Sequence, residues 1–229
     1  MRHGGPRAAA RHRASPPEER SLTAAQYIGS FPRADVVLDP VLPEIAFVGR
    51  SNVGKSSLLN ALVGRKIAKT SGTPGKTRAM NVFLVSGVGS QESGIPGSGL
   101  LTPDSHYFLD LPGYGYARAG KAQRTAFRAL VKFALQRERL SGVVWLLDIR
   151  HPPSADDQAM QDALAEGAAH VLAALTKGDK LSAGQRRTRE RELRAALGLP
   201  EAQVVVTSAR TGDGIAELRE AIGALIARE

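Results

Sequence analysis

The chain has no cysteine in its 229 residues, so disulfides, thiolate zinc sites and cysteine nucleophiles are all excluded. No stretch approaches the ~20 consecutive apolar residues of a membrane span. The N-terminus lacks the apolar core of a secretory signal. No internal repeat is visible. Positive charge is what the chain has in excess: 31 Lys and Arg stand against 22 Asp and Glu, a net +9. Residues 1–20 hold five arginines and two glutamates, a net +3, so most of the excess belongs to the remainder. That favours a polyanionic partner such as RNA, although solubility alone also accounts for a modest excess. Residues 1–21 read as a disordered basic tail on a cytoplasmic protein, because Pro6, Pro16, Pro17, Glu18 and Glu19 spoil the amphipathic helix of a transit peptide. Residues 22–229 suffice for one α/β domain with a substantial core.

Residues 49–57 read Gly49-Arg50-Ser51-Asn52-Val53-Gly54-Lys55-Ser56-Ser57, which fits Gly, four residues, Gly-Lys-Ser. The apolar run Ile45–Val48 before it suits a buried strand, and Leu58–Leu62 after it suits a helix. Strand, glycine-rich loop and helix form the setting of a phosphate cradle. The glycines let the backbone turn several N–H groups onto one anion, and the helix start adds partial positive charge there. Lys55 can reach the β- and γ-phosphates, and the Ser56 hydroxyl can hold Mg²⁺.

Beyond this loop, strands and helices alternate. Strands are expected at 45–48, 79–86, 105–110, 143–147, 170–175 and 203–207, and helices at 55–63, 121–138, 155–166, 184–197 and 213–227. Residues 21–43 read as a lead-in packed on the domain. Residues 87–104, rich in Gly, Ser and Pro, read as an exposed, mobile insertion. The alternation predicts an α/β fold with a six-stranded, mostly parallel sheet and helices on both faces. The lone Trp145 reads as core.

Three further segments carry chemistry. Asp110-Leu111-Pro112-Gly113 ends an apolar strand. Alone it is a strand end and a Pro-Gly turn; beside a phosphate loop, Asp110 can hold the hydration shell of Mg²⁺ and the Gly113 N–H can bond the γ-phosphate. Thr176-Lys177-Gly178-Asp179 resembles the Asn-Lys-x-Asp signature of GTPases, with Thr176 in place of Asn. There the Asp accepts from guanine's ring N–H and exocyclic amine. Adenine offers no such donor pair, and unmet polar partners in a built site discriminate strongly. The Lys177 stem would lie over the base, and a Thr176 hydroxyl can tether neighbouring loops with fewer bonds than an amide. Thr207-Ser208-Ala209-Arg210 resembles the Ser-Ala-Lys/Arg motif whose backbone N–H bonds the guanine carbonyl.

Gly-Arg-Ser-Asn-Val-Gly-Lys-Ser-Ser at 49–57, Thr-Pro-Gly-Lys-Thr at 73–77, Asp-Leu-Pro-Gly-Tyr-Gly-Tyr-Ala at 110–117 and Leu-Asp-Ile-Arg-His-Pro-Pro at 147–153 closely resemble the EngB (YihA/YsxC) family of bacterial ribosome-biogenesis GTP-binding proteins, over about residues 22–228. The resemblance implies a Ras-like P-loop GTPase fold, GTP and GDP as ligands, Mg²⁺ held by Ser56, Thr77 and, through water, Asp110, and catalysis through Lys55, Thr77 and Gly113. It places Gly75, Lys76 and Thr77 in the loop that meets the γ-phosphate, where the Pro-Gly-x-Thr pattern ends at Thr77. It implies as partners the large ribosomal subunit precursor and rRNA, with links to cell division, no membrane, no small-molecule substrate beyond GTP, and a monomer off the ribosome. The basic tail and the long 87–104 insertion depart from the pattern without touching the nucleotide motifs.

One expected part is missing. Many GTPases follow Asp-x-x-Gly with a water-orienting Gln, where this chain has Tyr114, and a phenol of ordinary pKa near 10 is a poor base at neutral pH. No arginine finger is evident within the chain, so intrinsic hydrolysis should be slow and raised by a partner. In related GTPases an Asn at the place of Asn52 helps to coordinate K⁺; the alternative is that its side chain braces the loop. Arg124, Arg128 and Lys132, preceded by Arg118 and Lys121, form a basic stripe that is either an rRNA face or ordinary solvated surface. The arginines of 184–197 are diluted by Glu190 and Glu192, with which they can pair. Asp148 and His151 are either a catalytic dyad or, the better reading, a loop-bracing pair. Two rival functions stay open: an rRNA-binding scaffold that holds nucleotide without turnover, and an ATP-using enzyme with a small-molecule substrate.

Overall fold

The computed structural model describes residues 24–69, 79–86, 101–115, 121–167 and 169–227, with the backbone alone for 121–124. The elements are β1 (Ala24–Phe31), β2 (Glu44–Gly49), α1 (Lys55–Val63), β3 (Met80–Ser86), β4 (His106–Asp110), α2 (Lys121–Leu135), β5 (Leu140–Asp148), α3 (Ala155–Ala165), β6 (His170–Thr176), α4 (Ala183–Ala196), β7 (Val204–Val206) and α5 (Ile215–Ile226). One sheet holds the strands in the order β1-β3-β4-β2-β5-β6-β7. β2 pairs in parallel with β4 and β5, and β5, β6 and β7 continue the parallel set. β3 runs antiparallel to β4, and β1 antiparallel to β3.

The sheet is buried on both faces, which is why its central strands read as unbroken apolar runs. Ala46, Val48, Val143, Trp145 and Leu147 point into one core, with Leu130, Val131 and Ala134 of α2, Met160 and Leu164 of α3 and Leu193 of α4. Ile45, Phe47, Val144 and Leu146 point into the other, with Leu58, Leu59 and Leu62 of α1 and Ile215, Leu218 and Ile222 of α5. Trp145 is core, as its sequence setting suggests.

The sheet has seven strands where six were expected. The seventh, β1, lies within the segment read as a lead-in. It is an edge strand with one buried residue, Ala25, and a register shift between Tyr27 and Gly29. An edge strand packed on so little core carries no period-2 alternation, so no strand signal arises. The segment between β1 and β2 is tied down by Arg137, beyond the end of α2. Its guanidinium donates to both Glu44 carboxylate oxygens (2.5 and 2.6 Å) and to the carbonyls of Ala34 and Val36 (2.5 and 2.8 Å).

Candidate nucleotide site

Five loops converge at the carboxyl ends of β2, β4, β5, β6 and β7, around the strand from which the sheet order runs outward in both directions. That is where open α/β sheets bind ligands. The loop 49–54 leaves β2 and enters α1 through two positive φ angles, 65° at Asn52 and 106° at Gly54. A side chain at Gly54 would be strained there. Gly49 is needed for space, since a Cβ would stand 2.9 Å from Val53 Cγ1 and 3.0 Å from Leu146 Cβ. The first helical bond is Leu58 N–H to Gly54 O (2.9 Å). The amides of Lys55, Ser56 and Ser57 therefore have no partner within α1, no side chain caps them among the described residues, and no acid stands in the first turn. α3 and α4 differ: each opens with a capping box, Ser154 with Asp157 and Ser182 with Gln185. The start of α1 is thus fitted to an anion.

Asp110 is buried at the end of β4. The Lys55 ammonium contacts one of its carboxylate oxygens, and Asn81 Nδ2 donates to the other (3.2 Å). The four residues that follow run alongside the loop: Leu111 N–H donates to Phe47 O (3.2 Å), Tyr114 N–H to Gly49 O (3.2 Å) and Ser51 N–H to Tyr114 O (2.9 Å). Gly113 packs so closely that a Cβ would lie 3.0 Å from both Ser51 N and Ser51 Cα. Lys55, Ser56, Asp110 and Gly113 thus lie on neighbouring segments at one end of the sheet. Among the described residues no three His, Cys, Asp or Glu gather to cage a metal. A Mg²⁺ ion shared with phosphates needs only one or two protein groups and fits Ser56 and Asp110.

On the base side, Thr176 is buried and its Oγ1 lies 2.7 Å from Val53 O and 3.1 Å from Leu147 O. The hydroxyl tethers the phosphate loop as expected, but its single proton serves two carbonyls that an amide could bond separately. Lys177 (φ 63°) reaches across Gly54 to donate to Asn52 O (2.7 Å) and pairs with Asp148 (2.9 Å). Gly178 N–H bonds Thr207 O (3.0 Å), which joins the two base segments. Asp179 accepts from Ser208 Oγ (2.9 Å) and from Arg210 Nε (2.7 Å). Burial raises its carboxyl, but Ser208 and Arg210 outweigh this and hold it below the usual carboxylate range. The amides of Arg210 and Thr211 turn to Ser208 Oγ (3.3 and 3.2 Å), which leaves that of Ala209 unengaged among the described residues.

Asp148 is no partner of the His151 side chain. Its carboxylate takes Arg150 (2.7 and 2.9 Å) and Lys177, so it braces the Lys177 anchor as well as its own turn. Burial would raise Asp148, yet the Arg150 and Lys177 hydrogen bonds hold it well below the usual range. A depressed carboxylate contributes stability that is present above its unfolded pKa and lost as pH falls through the folded one. The gap in thermal midpoint between wild type and Asp148→Asn should stay constant from pH 8 to pH 5 and close only below about pH 4. A gap that closed near neutrality would remove this assignment.

Gly75, Lys76 and Thr77 lie outside the described residues, as do the tail 1–21, residues 87–100 of the insertion, Arg118 and the side chains of Lys121 and Arg124. Arg128 and Lys132 of the stripe are exposed on α2. On α4, Arg189 pairs with Glu192 (2.9 Å), Arg194 with Glu190 (3.9 Å) and Glu201 (3.0 Å), and Arg186 with Asp213 (3.3 Å), so much of that charge is internally matched. Asn52 is held through its carbonyl; no hydrogen bond braces its exposed side chain among the described residues. Sequence reasoning missed Asn81, placed opposite Asp110 by β3–β4 pairing, and Asp157, whose only signal is the Ser154-x-x-Asp157 capping pattern.

The model of a family described as 50S ribosome-binding GTPase matches residues 44–177. The chain is 47% identical over 190 residues to the probable GTP-binding protein EngB of Gemmatimonas aurantiaca, covering 81% of this chain and 84% of that one. Its counterpart in Syntrophomonas wolfei is 44% identical over 187 residues, covering 81% and 88%. Among solved structures, a probable GTP-binding protein engB superposes with a TM-score of 0.58 at 20% identity, over 81% of this chain and 99% of that one. A single-residue variant of Aquifex aeolicus Era bound to GDP·AlF4⁻ superposes with 0.63 at 24%, over 81% and 57%. These likenesses bear out the P-loop GTPase fold.

Proposed function

The chain belongs to the EngB family of GTP-binding proteins, and on that footing we propose a switch that hydrolyses GTP to GDP slowly and assists assembly of the large ribosomal subunit, and thereby normal cell division. The observation that carries the reading is the meeting of an uncapped helix start, Lys55 beside Asp110, and an Asp179 whose side chain is 6% exposed, at one end of the sheet. Lys55 and the loop amides neutralise phosphate charge, and the Gly113 N–H meets the terminal phosphate. Asp179 reads guanine, with the Ala209 N–H toward its carbonyl. Ser56, Thr77 and, through water, Asp110 would hold Mg²⁺, which would supply neutralisation of phosphate charge.

Hydrolysis is slow because Tyr114 occupies the place of a water-orienting Gln and turns into the core. Isolated protein should turn over below about 1 s⁻¹, under the range of efficient phosphoryl transfer. Steady turnover above that would mean that the place of Tyr114 does not limit hydrolysis. Potassium acting beside the unbraced Asn52 side chain would speed the reaction, and equal rates in KCl and NaCl would remove that part.

The partner proposed is the large-subunit precursor, met through rRNA along the α2 stripe. Among the described residues no helix is long and apolar enough to cross a membrane; a cytoplasmic protein, monomeric off the ribosome, fits the reading. Co-sedimentation with ribosomal subunits should be stronger with a non-hydrolysable GTP analogue than with GDP. Arg124→Glu with Arg128→Glu should weaken it and flatten its salt dependence. Unchanged sedimentation would make the stripe ordinary surface. The same Tyr114 burial favours one second reading, a nucleotide-gated rRNA scaffold, and negligible hydrolysis even with ribosomal particles present would select it.

A further inference from the structure

Tyr114 follows Gly113 directly, and its two ends do different things. Its backbone docks beside the phosphate loop through the Gly49 and Ser51 bonds, as a parallel bridge opposite Arg50. Its side chain, 6% exposed, turns between β5 and α3. Trp145 Nε1 donates to the phenol oxygen (2.8 Å), and the phenol donates to Asp157 Oδ1 (2.8 Å). The other Asp157 oxygen accepts from Ser154 N (2.8 Å) and Ser154 Oγ (2.7 Å), which fixes it to the start of α3. Arg50 closes the ring from the loop: its guanidinium stands 3.9 Å from Asp157, and its Nε would lie 3.2 Å from a Cβ on Gly115.

A phenol has one proton to give, and here that proton is committed. Burial first, and then the Asp157 charge, push the Tyr114 pKa far above its ordinary value, so the group stays a neutral donor and cannot serve as a base. Every use of the hydroxyl is therefore mechanical. Gly113 has almost no slack beside Ser51, so where residue 114 is bolted decides where the Gly113 amide points.

We infer that Tyr114 is a positioning residue: bolted through its hydroxyl to Asp157 and Trp145, it holds the Gly113 N–H on the terminal phosphate of a nucleoside triphosphate. The inference rests on the proposed contact between Gly113 and that phosphate. A diphosphate lacks the group, so loosening the bolt acts on triphosphate alone.

The test is the affinity of full-length wild type, Tyr114→Phe and Asp157→Asn for GDP and for a non-hydrolysable GTP analogue, both with Mg²⁺, by calorimetry. Tyr114→Phe should lose about tenfold in analogue affinity, the worth of one hydrogen bond to a charged network, with GDP changed less than about twofold. Asp157→Asn keeps an acceptor oxygen and should shift the ratio in the same direction by less. It decides the matter alone if Tyr114→Phe does not fold. A merely structural tyrosine would lower the melting temperature and both affinities alike, so an unchanged ratio in a folded variant overturns the inference. Wild type that binds neither nucleotide removes instead the reading beneath it.

Discussion

Asp179→Asn is expected to lower GDP affinity by roughly a thousandfold and to raise affinity for xanthosine diphosphate. The carboxylate is 6% exposed and is aimed from two sides, by Ser208 Oγ on one oxygen and Arg210 Nε on the other. Each oxygen keeps a lone pair, so an ionised Asp179 presents two acceptors at a fixed angle. Guanine matches them with its ring N–H and exocyclic amine. Two hydrogen bonds to a charged group together contribute about 4 kcal/mol, which is roughly a thousandfold in affinity. An amide replaces one acceptor with a donor, repelling the exocyclic amine and welcoming the carbonyl that xanthine carries at that place. Ser208→Ala removes one of the two aiming bonds, leaves the charge, and should cost only about fivefold. Competition binding with guanosine, xanthosine and adenosine diphosphates reads all of this. Asp179→Asn that kept GDP affinity within about threefold would show that the base is read elsewhere, and ADP competing as well as GDP with wild type would revive the ATP-using enzyme.

The parts of the site legible in the sequence are those whose geometry is local. Gly54 and Lys55 are one turn of chain, and a positive φ followed by an uncapped helix start needs nothing from elsewhere. The buried strands were legible for the same reason, since apolar runs such as Val143–Leu147 report burial on both faces. What escaped depends on pairing. Asn81 meets Asp110 only because β3 and β4 align them, and Tyr114 meets Asp157 across 43 residues. No local pattern announces either contact. Tyr114 is instructive, because its sequence position suggested a weak substitute for a catalytic Gln, whereas its packing gives it a mechanical task. Thr176 is the reverse case: its departure from the familiar Asn was visible, and so was the tether it keeps. β1 escaped because an edge strand with one buried residue has no pattern to read.

Arg137→Ala should destabilise the protein by about 3–5 kcal/mol, the cost of breaking a buried ion pair from one side. Glu44 is 3% exposed at the first position of β2, and both its oxygens take their bonds from Arg137. Remove the guanidinium and a buried carboxylate loses its counter-charge, while the Ala34 and Val36 carbonyls lose the donor that holds the segment between β1 and β2. For a chain of this size the melting temperature should fall by about 10 °C. Replacing both partners at once, Arg137→Met with Glu44→Leu, leaves no orphaned charge and should cost less than the single change, which is the signature separating desolvation from lost packing. Nucleotide affinity should survive. Glu44 and Gly49 stand at opposite ends of β2, about 16 Å apart at the usual rise per residue, and the intervening strand is paired on both sides. Thermal melts of Arg137→Ala and of the double variant, each with GDP titrated below its midpoint, give both numbers. A double variant less stable than Arg137→Ala would show that the clamp holds by its fit rather than by compensating charge, and a folded Arg137→Ala with weakened GDP binding would show that the far end of β2 does reach the phosphate loop.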